Sequence, residues 1–517
     1  MNNLAKSVKN IMTIFLILFV GLISYIAYFL IFKAPAIAEN PNNPRLWIKR
    51  NEVLRGTIYD RDGNALTESK RIDEYSQQRT YLGGDLYVHA IGYISEQYGL
   101  TGLEQEYDSE LSDYNMFGNN FRKFLDSINV NELFANIKDD KALTGSYNFS
   151  DNFKKFKDDI DFKAIFSNSE KVGNGVVTTI DSELQKVAYD ALGNEKGAVV
   201  ALNPKTGEIL AMVSKPTYNP NDLQAAMEAA NSGSAENTPL INRTIDGLYP
   251  PGSVFKTVTL TSALKNIPGV TSEVFHDTGK IEFADGTTLN NFAYQAHGDI
   301  DLRYAYRVSS NFVFGTLAME LGNDKLKATA ESYGFNSVIQ GPGVTVTASR
   351  FPTLNSSELG NIAQSGIGQG AVLSTPMQMA LVAATVGNDG VMMKPKLVNK
   401  VVDKDKKTVE VIDSEEYNTV MPKEDAETIQ CYMKYLVDNN IYRWPAFEGT
   451  NAGGKTGTAD YKLPDGTDAV PHGWFISVAP MEDPQIAVAV IVENGESGAG
   501  SAAIIASEVV RKAVLGY

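Results

Sequence analysis

The longest apolar run of the chain lies at its start. From Ile11 to Phe32, IMTIFLILFVGLISYIAYFLIF, 22 consecutive residues carry no charge. As a helix they would reach about 33 Å, enough to cross a hydrocarbon core. Lys6 and Lys9 precede the run and no acid does. This favours a cytoplasmic tail over residues 1–10, a transmembrane anchor over 11–32, and an extracellular or periplasmic remainder in the cell membrane. A cleaved signal peptide is the rival, with Ala36-Ile37-Ala38 as a small-residue cleavage site, although a signal core typically spans only about 7–15 apolar residues. Both readings export the remainder of the chain.

After the polar link ENPNNPR the periodicity changes. RGTIYDRDGNALTES (55–69) reads as two short strands about a turn at Asp62-Gly63. Phe117, Phe121, Phe124, Leu125 and Ile128, and then Phe149, Phe153, Phe156 and Ile160, fall at helical spacing and read as core faces of small helices. Residues 34–172 therefore form an accessory domain without candidate chemistry.

From 173 onward strands dominate both ends. GNGVVTTIDSELQKVAYDAL is a strand followed by a helix capped by Asp or Ser. GAVVALN and EILAMVSKP make a hairpin rich in β-branched residues. GGKTGTADY, HGWFISVAP and QIAVAVIVEN supply three more strands, and SAAIIASEVVRKAVLGY closes the chain as an amphipathic helix. The middle, about 253–440, reads as mostly helical. The pattern predicts an α/β (α+β) domain over 173–517, with five strands in one sheet and helices on its faces.

Composition narrows the function classes. A net charge of −16 leaves no basic surplus to neutralise phosphates, so nucleic acid is not an expected partner. Cys431 is the single cysteine, which excludes an internal disulfide, and it reads as a small buried apolar residue.

Three segments carry candidate chemistry. In YPPGSVFKTV (249–258) the Pro-Pro-Gly can start a helix whose first turn holds Ser253, with Lys256 on the same face. A lysine in apolar surroundings loses proton affinity and can serve as a base for a serine nucleophile. The neighbours Val254, Phe255, Val258 and Leu260 make a solvated face a poor reading. In RVSSNFVFG, Ser309, Ser310 and Asn311 interrupt two helical patterns, and taken alone they read as an N-cap. In GGKTGTAD, glycines flank Lys455-Thr456-Gly457-Thr458 in a strand, where another backbone could approach closely. A P-loop is excluded by the missing upstream glycine and by the strand pattern after the motif.

Together, Ser-x-x-Lys, Ser-x-Asn and Lys-Thr-Gly occur in that order, 56 and 146 residues apart. This ordered set resembles that of the penicillin-binding proteins and the related β-lactamases. TTIDSELQ, GAVVALNPKTGEILAMVSKPTYNPN, NRTIDGLYPPGSVFK, SGIGQGAVLSTPMQMA and HGWFISVAP extend the likeness, and RGTIYDRDG and GLTGLEQEYDSEL resemble the short N-terminal pedestal of the class B, single-function members. Val254 and the Phe-rich 115–170 segment depart from the family pattern.

The resemblance implies a serine penicillin-recognising fold, with a central five-stranded, mainly antiparallel sheet flanked by helices, a pedestal domain and a transmembrane helix. It implies a peptidoglycan D,D-transpeptidase acting through a Ser253 acyl-enzyme and acylated by β-lactams. Lys256 would take the serine proton, and the N–H groups of Ser253 and Thr458 would form the oxyanion hole. Ser309 would relay a proton to the departing amine, and Asn311 would hold substrate and Lys256. Lys455 and Thr458 would bind the terminal carboxylate, while Thr456 and Gly457 complete the substrate-binding strand. No metal or cofactor is implied. The implied partners are stem peptides, the lipid-linked precursor, the membrane and a SEDS-type glycosyltransferase. A D,D-carboxypeptidase or β-lactamase-type hydrolase, and a non-catalytic β-lactam sensor or scaffold, are the alternatives. Glu358 and Asn361 do not match the glutamate element of a class A β-lactamase.

Overall fold

The computed structural model describes residues 44–112, 171–232, 238–462 and 466–517, with a few helical positions between 15 and 28. Most of the apolar run 11–32 and all of the Phe-rich stripes lie outside the described residues. Of that run, Phe15, Leu18, Leu22 and Tyr25 are helical and exposed. Among the described residues no helix is long and apolar enough to cross a membrane.

The N-terminal segment contains α1 (Pro44–Glu52), β1 (Ile58–Tyr59) and the hairpin β2 (Thr67–Asp73) with β3 (Ser76–Tyr81). β1 runs parallel to β4 (Gly175–Thr178), with Ile58 opposite Val176, so this segment is sewn directly into the rest of the chain. Beneath the hairpin, Arg55 Nε donates to Glu104 Oε2 at 2.6 Å and Arg55 Nη1 to Asp108 Oδ1 at 2.6 Å, while Arg79 Nε donates to Glu104 Oε1 at 2.8 Å.

After β4 come α2 (Ser182–Leu192), the hairpin β5 (Gly197–Leu202) and β6 (Ile209–Lys215), and the central helix α3 (Lys256–Asn266). Next are β7 (Val274–Asp277), α4 (Leu302–Val308), α5 (Asn311–Ser332), α6 (Pro376–Gly387), β8 (Val398–Val402) and α7 (Lys423–Asp438). The chain ends in β9 (Gly453–Ala459), β10 (His472–Ala479), β11 (Ile486–Val492) and α8 (Ala503–Leu515). One sheet joins the strands from both ends in the order β9-β10-β11-β5-β6, antiparallel at every pairing.

Both faces of this sheet are covered, and the period-2 pattern shows how. On β5, Val199 and Ala201 pack with Leu184, Ala188, Val509 and Val510 of α2 and α8. Its alternate residues Ala198, Val200 and Leu202 belong to the opposite core, with Met377 and Ala380 of α6. Every residue of α6 is buried, as expected of a helix that is apolar all round.

One open choice is settled and two sequence expectations change. Asp181, not Ser182, caps α2 by accepting from Leu184 N at 3.0 Å, and Ser182 Oγ goes instead to Asp60 at 2.6 Å. The middle region is not mostly helical: it also carries short antiparallel pairs such as β7 with Gly298–Asp301 and Lys280–Glu282 with Thr288–Asn290. Strands of three or four residues leave too little alternation to read. Cys431 is exposed rather than buried. The apolar stripe of α7 runs through Ile429, Met433 and Leu436, and residue 431 falls outside it.

Candidate active site

The Ser253 turn is built by its neighbours. Gly252 has φ +55°, and a Cβ there would lie 2.4 Å from the Thr458 carbonyl oxygen, so only glycine lets the turn approach β9. Trp474 Nε1 on β10 donates to Pro250 O at 3.0 Å, and Gly252 N donates to Gly368 O at 2.8 Å. Ser253 lies in a 3₁₀ turn, Gly252–Phe255, that feeds α3, instead of in the first turn of an α-helix. With three residues per turn, positions i and i+3 eclipse, so Ser253 and Lys256 align more closely than an α-helix would place them. α3 is buried on all sides from Lys256 to Ala263, and its threonines are satisfied: Thr259 donates to Gly366 O at 2.6 Å and Thr261 to Thr257 O at 2.9 Å.

Lys256, Ser309, Asn311 and Lys455 meet beside this turn. Lys256 Nζ donates to Ser309 O at 2.6 Å and Asn311 Oδ1 at 2.7 Å, and it lies 3.1 Å from Ser309 Oγ. Lys455 Nζ donates to the same Ser309 Oγ at 2.9 Å and to Thr456 O at 2.9 Å. Both lysines are fully buried, with Lys256 Nζ 5.6 Å from the Phe314 ring centre and Lys455 Nζ 5.5 Å from that of Tyr306. Ser253 is half-buried, and its Oγ has no hydrogen bond among the described residues.

Ser309 and Ser310 divide the two roles that the sequence left open. Ser310 is the N-cap of α5, its Oγ accepting from Val313 N at 3.0 Å. Ser309 ends α4 in the left-handed conformation, φ 58° and ψ 42°, which frees its hydroxyl for the lysines. Thr456, Gly457 and Thr458 follow Lys455 along β9, an edge strand whose outer side faces the Ser253 turn. A Cβ on Gly457 would come within 3.0 Å of Pro251 O and of Val254 Cγ1. Close backbone approach therefore explains this glycine.

Burial strips both amines of hydration and lowers their proton affinity. Lys455 is brought down to about 7 by burial. Lys256 falls well below its ordinary value through burial and the neighbouring Lys455, with Asp277 acting in the opposite direction. A neutral lysine still has two N–H donors for Ser309 O and Asn311 Oδ1 and keeps a lone pair that can take a proton. Ser309 Oγ, which accepts from Lys455, can take a proton from it while giving up its own.

The sequence reading missed a supporting layer. Asp277, Asn290, Asn291 and Tyr306 all touch the cluster or its neighbours: Asn311 Nδ2 donates to Asn290 O at 2.7 Å and Phe312 N to Asn291 Oδ1 at 2.9 Å. The only signal in the sequence was a turn-forming Asp-Thr-Gly and Asn-Asn, which points to a loop without assigning it a role.

Comparison with known proteins agrees over most of the chain. Residues 197–512 match the penicillin binding protein transpeptidase domain, and residues 55–131 match the penicillin binding protein A dimerisation domain. The peptidoglycan D,D-transpeptidase PbpA of Mycolicibacterium smegmatis is 31% identical over 508 residues, covering 95% of this chain and 94% of the relative. Penicillin-binding protein A from M. tuberculosis, solved as a ceftriaxone acyl-enzyme complex, superposes with a TM-score of 0.75 at 28% identity, covering 90% of this chain and 100% of that one. The D,D-transpeptidase domain of a peptidoglycan glycosyltransferase from Eggerthella lenta gives a TM-score of 0.72 at 30% identity, covering 90% and 99%.

Proposed function

The chain belongs to the penicillin-binding protein transpeptidase family and is a serine-type peptidoglycan D,D-transpeptidase, and we propose that Ser253 is its nucleophile and Lys256 its base. Ser253 Oγ attacks the carbonyl carbon between the two terminal D-alanines of a stem peptide, and its proton passes to neutral Lys256. The backbone N–H groups of Ser253 and Thr458 stabilise the oxyanion that forms only in the transition state. Lys455 donates through Ser309 Oγ as the C–N bond breaks, so the departing D-alanine amine leaves protonated. Asn311 orients the substrate amide, and Lys455 with Thr458 binds the terminal carboxylate.

An amine from a second stem peptide then attacks the acyl-enzyme carbonyl. The ester bond to Ser253 breaks, Lys256 returns the serine its proton, and the proton lost by the attacking amine passes through Ser309 Oγ to restore Lys455. A β-lactam acylates the same serine, but its leaving amine stays tethered.

The observation that carries this reading is one serine hydroxyl, Ser309 Oγ, held 2.9 Å from one buried amine and 3.1 Å from another. Such an arrangement moves protons; a structural ion pair would unite opposite charges. The hydrolase alternative is less well supported. Glu358 accepts from Asn355 N at 2.8 Å and Asn361 Nδ2 at 3.1 Å and makes no bond to the serine–lysine cluster.

The wider setting is part of the proposal. Residues 1–10 form a cytoplasmic tail, 11–32 a membrane anchor, 34–172 the pedestal and 173–517 the catalytic domain, outside the cell membrane. There it takes stem peptides beside a SEDS-type glycosyltransferase that polymerises the lipid-linked precursor. Fluorescent penicillin should label the wild-type protein stably for hours and leave Ser253→Ala unlabelled. Labelling that survives in Ser253→Ala sinks the nucleophile assignment, and rapid loss of label from the wild type makes it a hydrolase.

A further inference from the structure

We propose that Asp277 is a positioning residue of the acylation step: its buried carboxylate fixes the turn that presents Ser309 to the two lysines and sets a negative charge against Lys256. The inference rests on the transpeptidase reading of Ser253 and Lys256.

Asp277 ends β7 and is 1% exposed. Only neutral donors hold it. Its Oδ1 accepts from Gly279 N at 2.8 Å, Asn291 Nδ2 lies 2.9 Å from both carboxylate oxygens, and Ser310 Oγ donates to Oδ2 at 2.8 Å. Among the described residues no lysine, arginine or histidine forms an ion pair with it, unlike the buried Glu104 and Asp108. An ionised carboxylate is costly to bury without a compensating charge. The amine it acts on through charge is that of Lys256, whose proton affinity it raises.

Its contacts run straight to the catalytic groups. Ser310, held by Asp277, caps α5 through Val313 N, and Asn291 offers its own oxygen to Phe312 N at 2.9 Å. The next residue along, Asn290, takes Asn311 Nδ2 at 2.7 Å and so turns Asn311 Oδ1 toward Lys256. Directly before these anchors Ser309 is held at φ 58°, a conformation a non-glycine residue keeps when its surroundings hold it there. The carboxylate thus clamps the α5 side of the turn, directly after Ser309, without touching substrate.

The charge has a separate consequence. Lys256 faces Lys455 from β9, Asp277 from β7, and Ser309, Asn311 and the Phe314 ring from the Ser309 turn and α5. Removing this negative group leaves burial and Lys455 unopposed, and the amine gives up its proton at lower pH. Acylation needs that amine neutral, so the acidic limb of the rate–pH profile should move down. A residue that served the fold alone would leave the limb in place.

The test is the second-order rate of acylation of the full chain in detergent by fluorescent penicillin, measured from acid to alkaline pH. Asp277→Asn should react about tenfold more slowly at its optimum, with the acidic midpoint lower by roughly half a unit or more. Ser310→Ala keeps the charge and loses one clamp, so it should be several-fold slower with an unmoved midpoint. A folded Asp277→Asn whose midpoint matches wild type overturns the proposal. If that variant has no cooperative melting transition, Ser310→Ala decides, and a wild-type rate there overturns it. Failure of the wild type to be labelled at Ser253 would instead remove the transpeptidase reading.

Discussion

Around Arg55 and around Lys256 the chain buries charge in two different ways. In the N-terminal segment Glu104 is enclosed by Arg55 and Arg79, and Asp108 takes Arg55 and Arg50 at 2.6 and 2.7 Å. Positive and negative groups are matched there, and burial of Glu104 is outweighed by Arg79 and Arg55, which hold its carboxyl below the ordinary value. In the catalytic segment two lysines share one serine hydroxyl, and among the described residues no carboxylate forms an ion pair with either. Matched charge locks a fold, whereas like charge held together keeps amines ready to exchange protons.

The widest separation should appear on removing one charge from each cluster. Lys256→Met deletes the proposed base while keeping its volume. Acylation should fall about 10³-fold or more, yet the urea midpoint should be no lower than wild type, because the released desolvation cost offsets the lost hydrogen bonds. Equilibrium unfolding alongside penicillin labelling checks both halves. A Lys256→Met protein that is much less stable would make the lysine structural and erase the contrast.

Glu104→Gln should show the reverse pattern, with a smaller effect. Leaving Arg55 and Arg79 partly uncompensated should cost about 3–5 kcal/mol of stability, with the acylation rate of the folded fraction unchanged. The pH dependences separate in the same way. A depressed carboxyl value in the fold means Glu104 stabilises above its unfolded value near 4.5 and loses this as pH falls through the folded value. Lys455, depressed to about 7 from 10.5, acts oppositely: the unfolded chain binds more protons between those values, so its contribution to stability rises with pH across that window. Urea midpoints should therefore drop in acid for wild type more than for Glu104→Gln. They should rise above neutrality less for Lys256→Met, which removes one of the two depressed amines.

The catalytic half was largely legible because its chemistry is written locally. Ser253 and Lys256 are one turn apart, and Ser-x-x-Lys, Ser-x-Asn and Lys-Thr-Gly follow in order, so the motifs together point to the proposed site although none does so alone. The five strands were legible from dense β-branched residues, as in AVAVIV of β11. What was hidden depends on distant partners. Asp277 acquires its role from Asn291 and Ser310, 14 and 33 residues away, and its strand is only VFHD. The choice between Ser309 and Ser310 as cap was equally closed to the sequence, since both can accept the same bond and only packing decides. Cys431 was misjudged because composition gives no helical phase.

The smallest expected effect tests whether fold and site separate within a single side chain. Tyr306 sits in the catalytic half, yet it carries one contact of each kind: its ring faces Lys455 Nζ at 5.5 Å, and its hydroxyl meets Thr257 Oγ1 at 2.9 Å. Burial raises the phenol well above its ordinary value, so it stays protonated and takes no part as a base at neutral pH. Tyr306→Phe keeps the ring and deletes only the bond to α3. It should lower stability by about 1 kcal/mol and leave acylation within about twofold of wild type. A tenfold slower Tyr306→Phe would put the hydroxyl on the proton path. The boundary between locked charge and mobile protons would then run through α3 itself and not between the two halves of the chain.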